Sequence, residues 1–251
     1  MQTQAAPHEV VTGVVVVLLV NLRQAHRSWG WMKLAQGASP LRQMPGVRFA
    51  KVMGSGHDGG FGLRPSATHQ GLLVVLDNSQ QAAAFLQSDW VNQYKTYAQE
   101  WFSAVMAITS SRGQWNQVAW SPTEPALGVP DSSNAWVATL TRASIRPAST
   151  MAFWRYAPAA QADLSSASGC VLATGLGEAP LVRQCTFSIW RNTEAMMNYA
   201  HTGAHQAAIQ AAYKHSFFSE SMFVRMRVLR TAGVWHGVFL GHADNLGAAH
   251  A

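Results

Sequence analysis

Histidine is the residue type with most scope for chemistry in this 251-residue sequence. Three of the ten histidines, His201, His205 and His215, lie in or beside one predicted helix. His201 and His205 are four residues apart, a spacing that places both on one helical face and could form a metal site. A zinc site lacks its third ligand here, because no His-Glu-x-x-His pattern occurs and Gly203 interrupts the pair. An axial ligand to haem iron needs only one histidine, and His205 is the candidate.

The helical face around His205 is formed by small or aliphatic residues, Ala208, Ile209 and Ala212. Such residues leave room for a flat macrocycle beside the imidazole. A histidine that only caps or packs a helix explains the same pattern, so spacing alone leaves both interpretations open. The corresponding place in the first part of the chain, near Trp90, has no histidine. Only the second part of the chain, which contains His205, would then hold a cofactor.

Other catalytic templates are absent from the sequence. It contains no Gly-x-Ser-x-Gly elbow and no Walker motif, and Gly54-Ser55-Gly56 is too short for a dinucleotide fingerprint. The acidic residues are few and mostly isolated, so no acid/base pair stands out. Cys170 and Cys185 exclude a disulfide framework and a four-cysteine metal site. Cys185 falls within a predicted strand, which disfavours it as a thiolate ligand.

The charge balance is basic, with 18 Lys and Arg against 12 Asp and Glu. Because the charge is spread along the chain, nucleic acid is not an expected partner, whereas an anionic cofactor or anionic lipid fits. Arg225, Arg227 and Arg230 alternate along a predicted strand, as on a solvated face. The longest apolar run, Gly13–Leu22, is too short to span a membrane, and the first residues lack the cationic region of a secretory signal. A cytoplasmic location is therefore expected.

The same pattern of elements occurs twice along the chain. FAKVMGSG resembles CVLATGLG, which pairs Gly54 with Gly175, and a later match pairs Leu76 with Ile189. Both copies predict the order strand, helix, strand, strand, helix, strand, with helices at Ser79–Phe102 and at Thr193–Ala212, the latter interrupted at Gly203. This βαββαβ order is the ferredoxin-like unit. We therefore predict an α+β fold in which two tandem ferredoxin-like units form a dimeric-type α+β barrel within one chain.

The predicted division of the chain follows from this duplication. Residues 1–118 form the first half and residues 135–240 form the second half, which carries the candidate haem site. A linker rich in Pro, Ser and Gly covers 119–134, and 241–251 form a flexible tail. The oligomeric state stays open, because the tandem repeat already supplies a barrel.

Several segments resemble one known family. The matching segments occur in the family's order across about residues 11–236. They are MPGVRFAKVMGSG, TLTRASIRP, GLGEAPLVRQCTFSIW and HTGAHQAAIQAAYKHSFFSESMFVRMRVL. The combination of Thr-Arg-Ala-x-Ile-Arg-Pro, Gly-x-Gly-Glu-x-Pro and Thr-Phe-Ser-Ile-Trp is specific. It resembles the spheroidene monooxygenases, the acyclic carotenoid 2-ketolases.

The resemblance implies a haem-dependent monooxygenase that hydroxylates an acyclic carotenoid such as spheroidene and then forms a ketone. It implies O2, an external electron donor such as ferredoxin and, for a hydrophobic substrate, peripheral membrane contact. The implied iron ligand is His205, with Ile209 beside the haem and Arg225 available for its propionates. The implied residues on the open side of the haem are Arg142, Arg146 and Trp154.

Alternatives remain at this point. His201 or His215 could be the ligand in place of His205. Arg142 and Arg146 fit a surface or propionate-pairing role equally well, and Trp154 fits a core position. The activity could be that of another haem enzyme on the same barrel, aldoxime dehydratase-like or peroxidase-like. A haem or hydrophobic-ligand binding protein without catalysis is the remaining class.

Overall fold

Long antiparallel strands close into a barrel in the computed structural model, which describes residues 9–62, 64–123, 135–162, 164, 166–179 and 181–243. The strands are β1 Val10–Val11, β2 Val14–Leu22, β3 Val47–Gly56, β4 Pro65–Leu76, β5 Ala98–Gly113, β6 Ala119–Trp120, β7 Val137–Ile145, β8 Cys170–Ala179, β9 Arg183–Trp190, β10 Phe218–Trp235, β11 Val238–Phe239 and β12 His242–Ala243. The barrel order is β10-β5-β2-β4-β3-β8-β9-β7, and β7 pairs with β10 to close it.

Helices connect the barrel strands and lie outside them. They are α1 Arg27–Gln36, α2 Ser39–Arg42, α3 Ser79–Leu86, α4 Asp89–Tyr97, α5 Thr150–Ala162, α6 Thr193–Ala200 and α7 Gly203–Lys214. Each half therefore runs strand, helix, strand, strand, helices, strand, which confirms the two tandem ferredoxin-like units. The halves join where β5 pairs with β10 and where β3 meets β8 at Gly54 and Ser55.

The second helical connection of each half is split into two helices. In the first half the predicted helix Ser79–Phe102 is wrong in its length. The Ser88 hydroxyl accepts a hydrogen bond from the Val91 amide and starts α4, and β5 already begins at Ala98. In the second half the predicted interruption at Gly203 is confirmed, and its φ of +59° suits glycine.

Asparagine caps begin both of these helical connections, as their sequences predict. The Asn78 side chain accepts from the Gln81 amide, and the Asn192 side chain accepts from the Ala195 amide. These caps satisfy amides that the first turn of each helix leaves without a partner.

Strand pairing corrects the alignment of the two copies. Gly54 lies opposite Gln70, and Gly177 lies opposite Gln184 at the equivalent place, so Gly54 corresponds to Gly177 rather than to Gly175. Val14 pairs with Leu76 as Val137 pairs with Trp190, so Leu76 corresponds to Trp190 rather than to Ile189. The second correction shifts the match by one residue, which exchanges the two faces of the strand.

One apolar core fills the barrel, and a second lies under the helices of the first half. The barrel core draws on both halves, with residues such as Leu19, Phe102, Leu140, Phe187 and Val224. The outer face of the first half is apolar along β2 and β4 and is buried by α1, α3 and α4. Two smaller clusters lie among the helices of the second half.

The predicted linker and tail are only partly described. Within the linker, Ala119 and Trp120 pair with Val10 and Val11 in a two-stranded sheet. Residues 124–134 and 244–251 lie outside the described residues, so the linker boundaries and the tail stay predictions. No helix in the described part of the chain is long and apolar enough to cross a membrane.

Candidate ligand site on the outer face of the second half

The outer face of the second half is lined by small and polar side chains. Across neighbouring strands, Thr141 lies between Phe223 and Thr186, and Thr186 lies opposite Gly175. Thr141 belongs to a strand paired on both sides, yet its side chain is exposed, and Phe223 is 38% exposed. The face is therefore accessible at Thr141 and Phe223, whereas Gly175 is buried beneath Gly60 and Phe61.

A second row of residues follows on the same face. Thr139 lies between Arg225 and Ser188. The hydroxyl oxygens of Thr139 and Ser188 are 2.8 Å apart, and the Trp190 indole N–H donates to the Ser188 oxygen at 3.0 Å. These hydrogen bonds satisfy the buried hydroxyls and keep the floor of the site flat.

The helices of the second half cover only part of this face. Helix α6 packs on it through Met196, which clusters with Val137 and Trp190. Helices α5 and α7 pack mainly on each other, around Ala211, Ala212 and the adjoining Phe217. Among the described residues, α6 therefore packs on the strands of this face more closely than α5 or α7 does.

His205 lies on the first turn of α7, facing inward. Its ring stacks on Tyr199 with centroids 4.8 Å apart, and Tyr199 in turn lies 5.2 Å from Trp190 on the sheet. Burial lowers the pKa of His205, because a charged imidazole loses hydration there. The side chain is therefore neutral at physiological pH, the form that coordinates a metal.

The alternative histidines have different surroundings. His201 is exposed at the C-terminal end of α6. His215 is exposed just after α7, with its ring stacked 5.5 Å from Phe217. Among these three, only His205 is half-buried beside the open sheet face.

The neighbours predicted for His205 occupy the expected helix. Ala208 and Ala212 share its inward side, as the helical spacing predicts. Ile209 is 38% exposed on the same helix. Arg225 is half-buried on the outer face of β10, which is the side of the sheet on which the helix of His205 and Ile209 lies.

Arg142 lies on the opposite side of the sheet, inside the barrel. It is 1% exposed, forms ion pairs with Glu178 and Glu220, and its guanidinium lies over the Trp115 ring. Lys51 of the first half bonds the other Glu178 oxygen at 2.5 Å. The structure thus separates Arg142 from the layer that contains His205.

This interior network holds its carboxylate ionised. Burial alone would raise the pKa of Glu178, but the hydrogen bond and charge of Lys51, followed by the charge of Arg142, lower it overall. The Trp115 indole N–H also donates to Glu178, at 3.0 Å. The sequence analysis missed this network, because its members come from distant strands and carry no motif.

Arg146 and Trp154 lie together at one end of the second half. Arg146 is exposed, and its Nε donates to the Phe218 carbonyl oxygen at 3.1 Å. The Trp154 indole N–H donates to the Leu181 carbonyl oxygen at 3.0 Å. These bonds tie the end of β7 and the N-terminal part of α5 to neighbouring segments, away from the Tyr199 side chain on which His205 stacks.

The thiols are unsuited to ligation. Burial raises the pKa of Cys170 to about 11, and burial also raises the pKa of Cys185, which lies inside the barrel. Among the described residues, no group of three or more His, Cys, Asp or Glu side chains could hold a metal ion by itself. A metal carried by a macrocycle requires only one protein ligand, so His205 remains the donor to test.

Two threonines in the sequence of β7 are the signal from which the exposed face could have been predicted. Thr139 and Thr141 occupy the positions on β7 that Val16 and Leu18 occupy on β2. A strand face that helices bury is normally apolar, so alternating threonines indicate a face with another use.

Comparisons with known proteins agree with this architecture. The chain is 46% identical over 225 residues to spheroidene monooxygenase of Rubrivivax gelatinosus, covering 89% of this chain and 85% of that protein. It is 30% identical over 211 residues to spheroidene monooxygenase of Rhodobacter capsulatus, covering 83% and 87% respectively. No protein-family model matches the chain.

Among solved structures, aldoxime dehydratase has the same fold. It superposes with a TM-score of 0.56 over 86% of this chain and 81% of that chain, at 11% identity. The fold is therefore the α+β barrel that the duplicated sequence predicts. By its sequence similarity over most of its length, the chain belongs to the spheroidene monooxygenase family.

Proposed function

We propose that this protein is a haem-dependent monooxygenase acting on an acyclic carotenoid such as spheroidene. The observation that carries the proposal is the 46% identity, along 89% of the chain, to a protein named spheroidene monooxygenase. The open outer face of the second half supports it, because a large flat cofactor and an apolar substrate both need such a surface.

The side chains around this face fit a haem. His205 offers a neutral imidazole, and the exposed Thr141 and the half-buried Thr186 would lie against a macrocycle. Gly175, the next residue across the sheet, is covered by Gly60 and Phe61 of the first half. Arg225 supplies a cation for a propionate. His205 and Arg225 are thus the side chains that would hold the iron and a propionate of a bound haem.

Each of these side chains has a role that follows from its position. A bound haem would supply the binding and activation of O2. His205 would hold the iron, and Tyr199 would fix the plane of the imidazole by stacking on it. Phe223 and Ile209, both partly exposed, would give the polyene chain apolar contacts and exclude water from the reacting carbon.

The proposed reaction consists of two hydroxylations followed by loss of water. Each hydroxylation replaces one C–H by C–OH and consumes one O2, two electrons and two protons, with release of one water. A second hydroxylation at the same carbon gives a gem-diol, which loses water to leave the ketone. An external donor must supply the electrons, and a ferredoxin is the class of donor that we propose.

An absorption spectrum of the haem-supplied protein tests the proposal. We expect a Soret band in the parent that is lost or strongly shifted in His205→Ala. It should persist in His201→Ala and His215→Ala, the matched controls on exposed histidines. A band that survives in His205→Ala but not in a control would reassign the ligand.

A turnover assay then separates the possible functions. We expect the parent to convert spheroidene to a ketone only when O2 and a reduced ferredoxin system are present. Haem binding without turnover would leave a binding protein, and turnover of an aldoxime without a reductant would favour the dehydratase class. Failure of the protein to bind haem would exclude every haem-dependent function for it.

A further inference from the structure

One end of the second half presents exposed apolar side chains. Met151, on the first turn of α5, is 78% exposed, and Leu181, at the tip of the β8–β9 hairpin, is 44% exposed. The indole of Trp154 bonds the Leu181 carbonyl oxygen, and Met151 precedes Trp154 by about one helical turn. The two apolar side chains therefore belong to one surface, which joins the start of α5 to the hairpin.

Basic side chains surround these apolar side chains. Arg146, Arg155 and Arg183 are all exposed. Arg146 is held at this end by the bond of its backbone amide to Phe217, and Arg183 pairs with Ser144 at the end of β7. We call this surface, formed by residues 144–156, 181–183 and 214–219, the basic end.

The charge of the basic end is of one sign. Its segments contain Arg146, Arg155, Arg183 and Lys214 but no Asp or Glu in the sequence. The next carboxylate along the chain, Glu220, is already paired with Arg142 and bonds the amides of Asn116 and Gln117. Within these described segments, an approaching anionic surface therefore meets cations and no carboxylate.

We propose that the basic end docks on an anionic lipid bilayer, with Met151 and Leu181 inserted at the level of the headgroups. Apolar side chains that enter the interface combined with cations that face anionic headgroups are the two contributions that hold a peripheral protein on a membrane. The proposal goes beyond the oxygenase assignment, because docking needs neither haem nor carotenoid.

The opposite end of the barrel provides a contrast. The β10–β11 hairpin there exposes Val238 and Phe239, the latter at 74%. Its turn is bonded by a carboxylate, since Glu100 accepts from the amides of His236 and Gly237. Two well-exposed apolar side chains beside a carboxylate, instead of beside arginines, make this hairpin the matched control surface.

Co-sedimentation of the full chain with vesicles tests the proposal. We expect binding to vesicles that contain phosphatidylglycerol, and little binding to phosphatidylcholine alone. The binding should weaken as salt rises, because the screening length shrinks from about 10 Å at 0.1 M to about 3 Å at 1 M. Met151→Ser/Leu181→Ser should lower the partition coefficient about 30-fold.

The charge variant and the control complete the test. Arg155→Gln/Arg183→Gln should lower binding to anionic vesicles about 30-fold, since each basic residue near such a surface strengthens binding about fivefold. Val238→Ser/Phe239→Ser should bind like the parent. Equal binding to both lipids, or loss only in the Val238/Phe239 control, would overturn the proposal.

A redox partner is the competing occupant, and the same variants distinguish it. If Arg155→Gln/Arg183→Gln binds vesicles like the parent but loses turnover with reduced ferredoxin, the basic end docks the electron donor and the lipid proposal is wrong. Turnover of carotenoid in detergent micelles should be unchanged in the Met151→Ser/Leu181→Ser variant. If the protein binds vesicles but cannot take up haem, the docking proposal is supported. The proposed oxygenase function is then contradicted.

Discussion

The two halves of the barrel share one topology but differ on their outer faces. In the first half, Leu18 lies beside Leu72, and Leu72 lies beside Val52. At the equivalent places in the second half are Thr141, Thr186 and Gly175. The first row contributes to a helix–sheet core, whereas Thr141 in the second row is exposed.

This difference separates the contributions of the two halves. Burying a leucine or valine contributes about 1.5–3 kcal/mol, so the sealed face of the first half is a major source of stability. The outer face of the second half buries less apolar surface at the equivalent positions, and part of it remains accessible to a ligand. A duplicated fold can therefore use one copy for stability and leave the other available for chemistry.

The inner faces show the same division. Leu19 points into the barrel in the first half, and Arg142 occupies the equivalent place in the second. Arg142 is buried with Glu178 and Glu220 and reaches across to the Lys51 of the first half through Glu178. Arg142 thus links the two halves through its ion pair with Glu178, whereas Leu19 contributes only apolar packing.

Replacing Arg142 has the largest expected effect on this comparison. Arg142→Met should lower the free energy of unfolding by about 3–5 kcal/mol, because the carboxylates of Glu178 and Glu220 lose their buried partner. Leu19→Met, the control at the equivalent place, should cost less than about 1.5 kcal/mol. Chemical denaturation measures both. If Arg142→Met kept parental stability but lost turnover, a direct catalytic role for Arg142 would be favoured.

An enlarging substitution on the two outer faces has the next largest effect. Leu18→Trp should cost about 3 kcal/mol of stability, because the helices already fill the space over it. Thr141→Trp should leave the melting temperature close to that of the parent but weaken binding at the proposed haem site about 100-fold, or about 2.8 kcal/mol, since the indole would fill the space proposed for the macrocycle. Calorimetry and haem titration measure the two effects. Equal stability losses in both variants would show that the second face is sealed as well.

Acidification has the smallest expected effect. Burial lowers the pKa of His205, so the unfolded imidazole takes up a proton near its ordinary value of about 6.5 while the folded one stays neutral. The unfolded state then binds more protons, and stability is lost as the pH falls below that value. Unfolding measured between neutral and acid pH should show a shallower loss in His205→Gln than in the parent.

The control for this pH dependence is His215→Gln. This variant removes an exposed histidine from the same half of the molecule. His69 retains a similar slope in every variant, because burial lowers its pKa too. An identical slope in parent and His205→Gln would contradict a buried neutral imidazole.

Much of the fold was predictable, because it depends on local signals. Asparagine caps, the apolar strands and the break at Gly203 each lie within a few residues of the element they define. The length of the helix after Ser79 was not predictable in the same way. Residues Ala98–Phe102 belong to a strand, because β2 and β10 pair with it there, and such pairing partners are distant in sequence.

The candidate site was predictable only in part. The spacing indicated candidate histidines in or beside one helix, and of these the structure half-buries only His205, stacked on Tyr199. The position of Arg142 was not deducible, because adjacent residues of a strand point to opposite faces. A one-residue difference in register decides whether such an arginine meets a ligand or a buried carboxylate.

The amino-acid sequence by itself determined the duplicated βαββαβ order, the family of the chain and a set of candidate ligands in or beside one helix, His201, His205 and His215. These properties depend on patterns of residues that are close in the chain. Only the tertiary structure decided that Thr141 stays uncovered, that Arg142 bridges the halves from inside, and that Met151 and Leu181 share a surface with arginines. Those properties arise from strand pairing and helix packing between distant segments, which no local pattern specifies.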